Sequence, residues 1–117
     1  MICIMGTEYE IITESREQEE AYTKNTWIGF CDFYAKEIHL LDLKNDENYK
    51  NESDKCLLEL SKKVLRHEIT HAFMYESGLE SSAHTHDGPW SLNEEMVDWI
   101  AIQSPKIFEA FKQVGCL

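Results

Sequence analysis

Val64-Leu65-Arg66-His67-Glu68-Ile69-Thr70-His71-Ala72-Phe73 is the stretch on which the reading of the chain turns. Histidines four residues apart lie one helical turn apart on the same face, where both imidazoles can reach one ion. Glu68 is rotated by about 100° from His67, out of the ligand position but within reach of a water beside that ion. The spacing H-E-x-x-H therefore predicts a zinc site, with His67 and His71 as ligands and Glu68 as general base. The longer metzincin pattern is absent, because Met74 and Ser77 stand where it needs glycine and a third histidine.

Outward from the motif, residues 55–77 read as one helix. Ser53 or Asp54 can cap its start, and Gly78-Leu79 supplies a left-handed stop followed by an apolar contact. Leu57, Leu58, Leu60, Val64, Leu65, Ile69, Ala72, Phe73 and Met74 spread over most of its circumference, so the helix is expected to run through the core. Glu59, Lys63, Arg66 and Thr70 form the remaining polar stripe, whereas His67, Glu68 and His71 project within the apolar arc. Burying those three without partners would cost several kcal/mol, and a metal ion satisfies all of them.

A catalytic zinc keeps three protein ligands, so a third must come from elsewhere. A second helix is expected after a Ser91 or Asn93 cap, and Glu94 on it is the chosen ligand. Asp98, four residues on, shares its face and can orient a ligand imidazole. Glu95 is the neighbouring alternative, but it reads more simply as a first-turn carboxylate that complements the helix dipole. His84 and His86, in the expected 80–90 loop, are alternative ligands or donors to an oxyanion. Tyr75 reads as core packing, His39 as an ordinary strand residue. A third short helix is expected after Pro105, burying Ile107, Phe108 and Phe111.

Upstream, residues 9–12 suggest a short strand, and 14–20 a solvated loop or helical turn. Strands near 27–33 and 37–43 flank a break at Tyr34-Ala35-Lys36, and 45–52 read as a surface loop. The predicted fold is α+β and zincin-like: a single domain over 1–117, with a small, mostly antiparallel sheet packed on the H-E-x-x-H helix and a ligand-bearing helix behind it. Strand 37–43 is expected at the sheet edge, where it can pair with an extended peptide.

The length of 117 residues suits one core, and 43% apolar with 28% charged residues is a globular composition. The formal charge of -11 disfavours direct binding to nucleic acid or anionic lipid. An acidic surface fits a basic partner instead, and charge imitation of DNA is a further reading. Cys3, Cys31, Cys56 and Cys116 form no C-x-x-C pair, and no signal peptide or membrane span is evident, so a reduced, cytoplasmic protein is expected.

The motif stretch, together with Asn93-Glu94-Glu95-Met96-Val97-Asp98-Trp99-Ile100-Ala101, resembles the ImmA/IrrE family of small metallopeptidases, common in phages and mobile elements, and more broadly the gluzincins. The second segment is similar to that family's E-x-x-A-D-x-F-A helix, with Val97 for alanine and Ile100 for phenylalanine. Residues 29–43 resemble the hairpin before its active-site helix. The resemblance implies a Zn2+ cofactor, Glu94 as ligand, Asp98 as the acidic partner, and a protein or peptide substrate, a repressor in members of the ImmA type. Ile102-Gln103-Ser104-Pro105 departs from the family's L-L-M-P-like continuation. The alternative function is a non-enzymatic acidic zinc-containing binding or inhibitory protein, in which His84, His86 or Asp87 would close the fourth position.

Overall fold

The structure, a computed structural model, describes residues 1–79 and 93–117. Strands β1 (Ile2–Ile4), β2 (Thr7–Glu14), β3 (Gly29–Asp32) and β4 (Glu37–Leu41) form one sheet in the order β1-β2-β4-β3. A turn through Met5 and Gly6, both at positive φ, joins β1 to antiparallel β2. β3 and β4 form a second antiparallel hairpin, with Phe30 opposite His39. The central pair, β2 with β4, is parallel, and the short helix α1 (Ala21–Lys24) lies on the crossover between them.

That parallel pair corrects one expectation. β4 is hydrogen-bonded on both sides, so it cannot offer an edge; among the described residues the outer strands are β1 and β3. Periodicity in 37–43 reveals faces but not neighbours, and β2 claims the side on which a peptide was expected. The strand also stops at Leu41, because Leu43–Asn45 already turns as a 3-10 helix.

Helix α2 (Asp54–Glu76) starts where Ser53 accepts from the Cys56 amide at 3.2 Å. It stops at Gly78, whose φ of 85° is favourable only without a Cβ. There the Leu79 amide donates to Met74 O and the Gly78 amide to Tyr75 O, which satisfies two terminal carbonyls. Ala72 joins Ile4, Tyr9 and Ile38 in one apolar cluster, and Leu57 joins Tyr22, Leu41 and Leu43 in another. A Cβ on Gly29 would lie 2.7 Å from Val64 Cγ1, so the missing side chain is what lets α2 approach β3 this closely.

The helix is not buried all round. Leu58 and Phe73 are exposed, and Lys63 and Arg66 of the polar stripe meet another helix. This is α3 (Glu94–Gln113), which continues through Pro105 rather than breaking into a separate third helix. A proline at 105 has no amide for Ala101 O, the carbonyl one turn back. Arg66 Nε donates to that buried carbonyl from α2, so the lost intrahelical bond is replaced by one between helices. Ala101 and Ser104 are small and buried at this seam, whereas Phe108 and Phe111, expected inside, are exposed. The architecture is a four-stranded mixed sheet with α2 on one face and α3 against α2, an α+β arrangement. Among the described residues no helix is long and apolar enough to cross a membrane.

Candidate metal centre and cleft

The seam between α2 and α3 gathers the residues singled out by the motif. Nε2 of His67 lies 2.9 Å from Glu94 Oε2, and Nε2 of His71 lies 3.1 Å from Glu94 Oε1. One atom from each residue falls within 4.8 Å of the others, close enough to share an ion. Glu94 stands at the first turn of α3, after Asn93 caps the helix by accepting from the Met96 amide. Helical spacing then places Asp98 on the same face, where Oδ1 lies 3.2 Å from His67 Nδ1. A carboxylate on Nδ1 fixes the tautomer that leaves Nε2 for a metal. Glu95 is exposed beside this group and takes no part in it.

Asp98 is shared. Lys63 Nζ lies 2.6 Å from the same Oδ1 and holds the carboxyl below its usual range, against the opposing effect of burial; His67 adds to the lowering. Lys63 was assigned only to a polar stripe, although its place four residues before His67 puts it on the histidines' face. Glu68 is buried, and burial together with the nearby charge of Glu94 pushes its carboxyl up to about 7. A carboxylate poised near neutrality can both accept and return a proton.

These groups open onto a cleft of about 440 Å³ between α2 and β3. Trp27, Phe30 and Phe33 provide its aromatic wall, with Lys63, His67, Glu68, His71, Glu94 and Asp98 opposite. Gly29 matters again here: its position for a Cβ lies 3.6 Å from Glu68 Cγ, so β3 passes directly beside the Glu68 side chain. The cleft's thiol, Cys31, is pushed up to about 12 by burial and the charge of Glu68, so it stays protonated and is a poor nucleophile. Tyr75 stacks on Phe33 at 4.4 Å between ring centroids, which agrees with a packing role. His84 and His86, and with them Asp87, lie outside the described residues.

A second group escaped the sequence. His39 is buried, with Nδ1 2.7 Å from Glu14 Oε1 and Nε2 3.0 Å from Glu37 Oε2, and Phe30 stacks on its ring. Burial lowers its pKa, but the hydrogen bonds to Glu14 and Glu37 outweigh that and raise it overall. Glu14, Glu19 and His39 also bring one atom each within 4.8 Å. Glu14 comes from β2, and no local pattern announces that β2 runs parallel to β4.

The chain matches no family model, and no curated protein or solved structure is significantly similar to it.

Proposed function

We propose that the chain is a zincin-like, gluzincin-type zinc metallopeptidase that hydrolyses a peptide bond in an intracellular protein. The observation that carries this reading is the convergence of both histidine Nε2 atoms on one carboxylate, in a cleft that also holds the buried Glu68. The donor set fits zinc, since two imidazole nitrogens and a carboxylate oxygen are the ligands of a catalytic site with one open position. His67, His71 and Glu94 would hold the ion, and Asp98 would orient His67. A bound zinc ion supplies Lewis acidity toward the scissile carbonyl and acidifies the attacking water.

The chain's own residues do the rest. Glu68 accepts the proton of the attacking water and delivers it to the leaving amine, from a buried position beside His67 and His71 in the cleft. The edge of β3 offers backbone groups to an extended substrate, which β-strand addition would lay across the cleft. Trp27 and Phe33 border that path and would shield it from water. The sequence resemblance to ImmA/IrrE-type peptidases supports the same assignment.

The test compares wild type with Glu68→Gln, each with its zinc content measured, on denatured casein and on co-expressed cytosolic proteins. Both should bind zinc, and the substitution should slow cleavage by about a hundredfold to ten-thousandfold, the usual contribution of a positioned acid/base. Equal cleavage by both forms would overturn the mechanism. Zinc binding with no cleavage by either would identify the alternative, a non-enzymatic zinc-containing binding or inhibitory protein.

A further inference from the structure

A second cavity, of about 340 Å³, opens at the end of β4 beside the first two turns of α2. Its lining is mainly aliphatic: Leu40, Leu41, Leu43, Leu57 and Leu58. A space this size is no packing defect, because voids larger than a water molecule are few in a close-packed interior. Leu58 is 56% exposed at its mouth, a large aliphatic side chain left in water beside an apolar hollow. This cavity lies at the small end of the range of about 300–1,000 Å³ typical of ligand pockets.

Two observations say what would fill it. The first is continuity: Ile28 and Val64 line both this cavity and the cleft of the metal centre. β3 and α2 run in the same sense, since Gly29 abuts Val64 and Phe33 stacks on Tyr75 further along. A chain laid along β3 therefore meets the cavity by continuing past Ile28. From Glu68 back to Ser61 and Leu57 the helix rises about 10–16 Å, which an extended peptide covers in roughly three to five residues. The second is charge: Asp42 and Asp54 stand on the lining against Lys44 alone, in a chain of formal charge -11.

We propose that this cavity is a remote subsite, resting on the metallopeptidase reading, which receives an apolar side chain of the substrate three to five residues from the bond cut. The substrate segment around that side chain is basic. Its apolar residue is withdrawn from water by Leu57 and Leu58, and the neighbouring positive charges face Asp42 and Asp54. Specificity then lies partly outside the cleft that holds Glu68.

The probe is a set of fluorescein-labelled twelve-residue peptides with a single leucine scanned through a background of alanine, serine and lysine. Binding is measured to the zinc-loaded full chain carrying Glu68→Gln, and the cut position is taken from wild type by mass spectrometry. Leucine at one position, three to five residues from the cut, should tighten binding about tenfold or more, as expected for full burial of an aliphatic side chain. Ser61→Trp, which fills the cavity, and Leu58→Gln, at its exposed mouth, should each abolish that preference. Both should leave affinity for the leucine-free peptide within about twofold, a control that also reports correct folding. A flat scan, or a preference that survives both substitutions, overturns the proposal. If dodecanoate fills the cavity while the scan stays flat, the site is one for a lipid chain and the proposal falls. Cutting by wild type with a flat scan sinks the subsite alone and leaves the peptidase reading standing. Leucine-dependent binding that both substitutions remove, with no cutting by wild type, supports the cavity as a peptide site and overturns the peptidase reading.

Discussion

Among the described residues, two groups of histidine and glutamate each bring three side chains close enough to share an ion, and their surroundings differ. At the α2–α3 seam, two imidazoles turn Nε2 toward a single carboxylate, and Glu94 is 70% exposed at the rim of the cleft. On the sheet, one imidazole is held between two carboxylates, one at each ring nitrogen, beneath Phe30. An imidazole that donates from both nitrogens is protonated and has no lone pair left for a metal. Glu14 is already occupied as well, because it accepts from Tyr22 Oη at 3.0 Å. The seam thus gathers side chains that could share an ion, whereas on the sheet the hydrogen bonds to Glu14 and Glu37 raise the pKa of His39 and favour its protonated form. Only the first group borders either of the two cavities described above.

The largest effect that would break this contrast is on metal content. His71→Ala should remove bound zinc and all peptidase activity, whereas His39→Leu should leave zinc stoichiometry at the wild-type value. Metal analysis after gel filtration reads both. Loss of zinc from the His39 variant while its far-ultraviolet dichroism is unchanged would mean that the sheet group, not the seam, holds the ion.

The next effect concerns how the seam is held in register. Arg66 Nε donates to Ala101 O, the carbonyl that Pro105 leaves without an amide. Ala101 lies seven residues beyond Glu94 and three beyond Asp98, on the same face of α3. Arg66→Met should therefore cost about 1–3 kcal/mol by stranding a buried acceptor. Pro105→Ala returns an amide to that carbonyl, so Arg66→Met should cost less in its background. Urea unfolding of the four proteins in this cycle measures the coupling, and strict additivity would show that Arg66 is not the replacement donor.

The same residues show what a sequence makes legible. α2 could be read because its signals are local: Ser53 at one end, Gly78 at the other, and a motif whose geometry follows from 3.6 residues per turn. Glu94 and Asp98 were accessible in the same way, one helical turn apart after Asn93. The run through Pro105 was not, since the rule that proline ends a helix is local and the rescue by Arg66 is tertiary. The edge of the sheet was equally hidden. Alternation in 37–43 assigns side chains to faces, but the parallel partner β2 lies more than twenty residues away in sequence. His39 followed the same fate: its face was readable, and the Glu14 that raises its pKa was not.

The smallest effect tests the charge on His39 itself. Its pKa is raised in the folded protein, because Glu14 on β2 and Glu37 on β4 outweigh the lowering caused by burial. A raised folded value means that the native state binds the proton more tightly than the unfolded chain. Its contribution is fully present below the unfolded histidine value, near about 6.5, and is lost as pH rises through the higher folded value. The difference in unfolding free energy between wild type and His39→Gln should thus narrow as pH rises above the unfolded histidine value. Subtracting the variant removes the titration of groups the two proteins share, including Glu76 and Asp98, whose lowered values act at more acid pH. A gap that widens with pH would mean that His39 is held neutral, which would leave one ring nitrogen unprotonated and reopen the sheet group as a metal site.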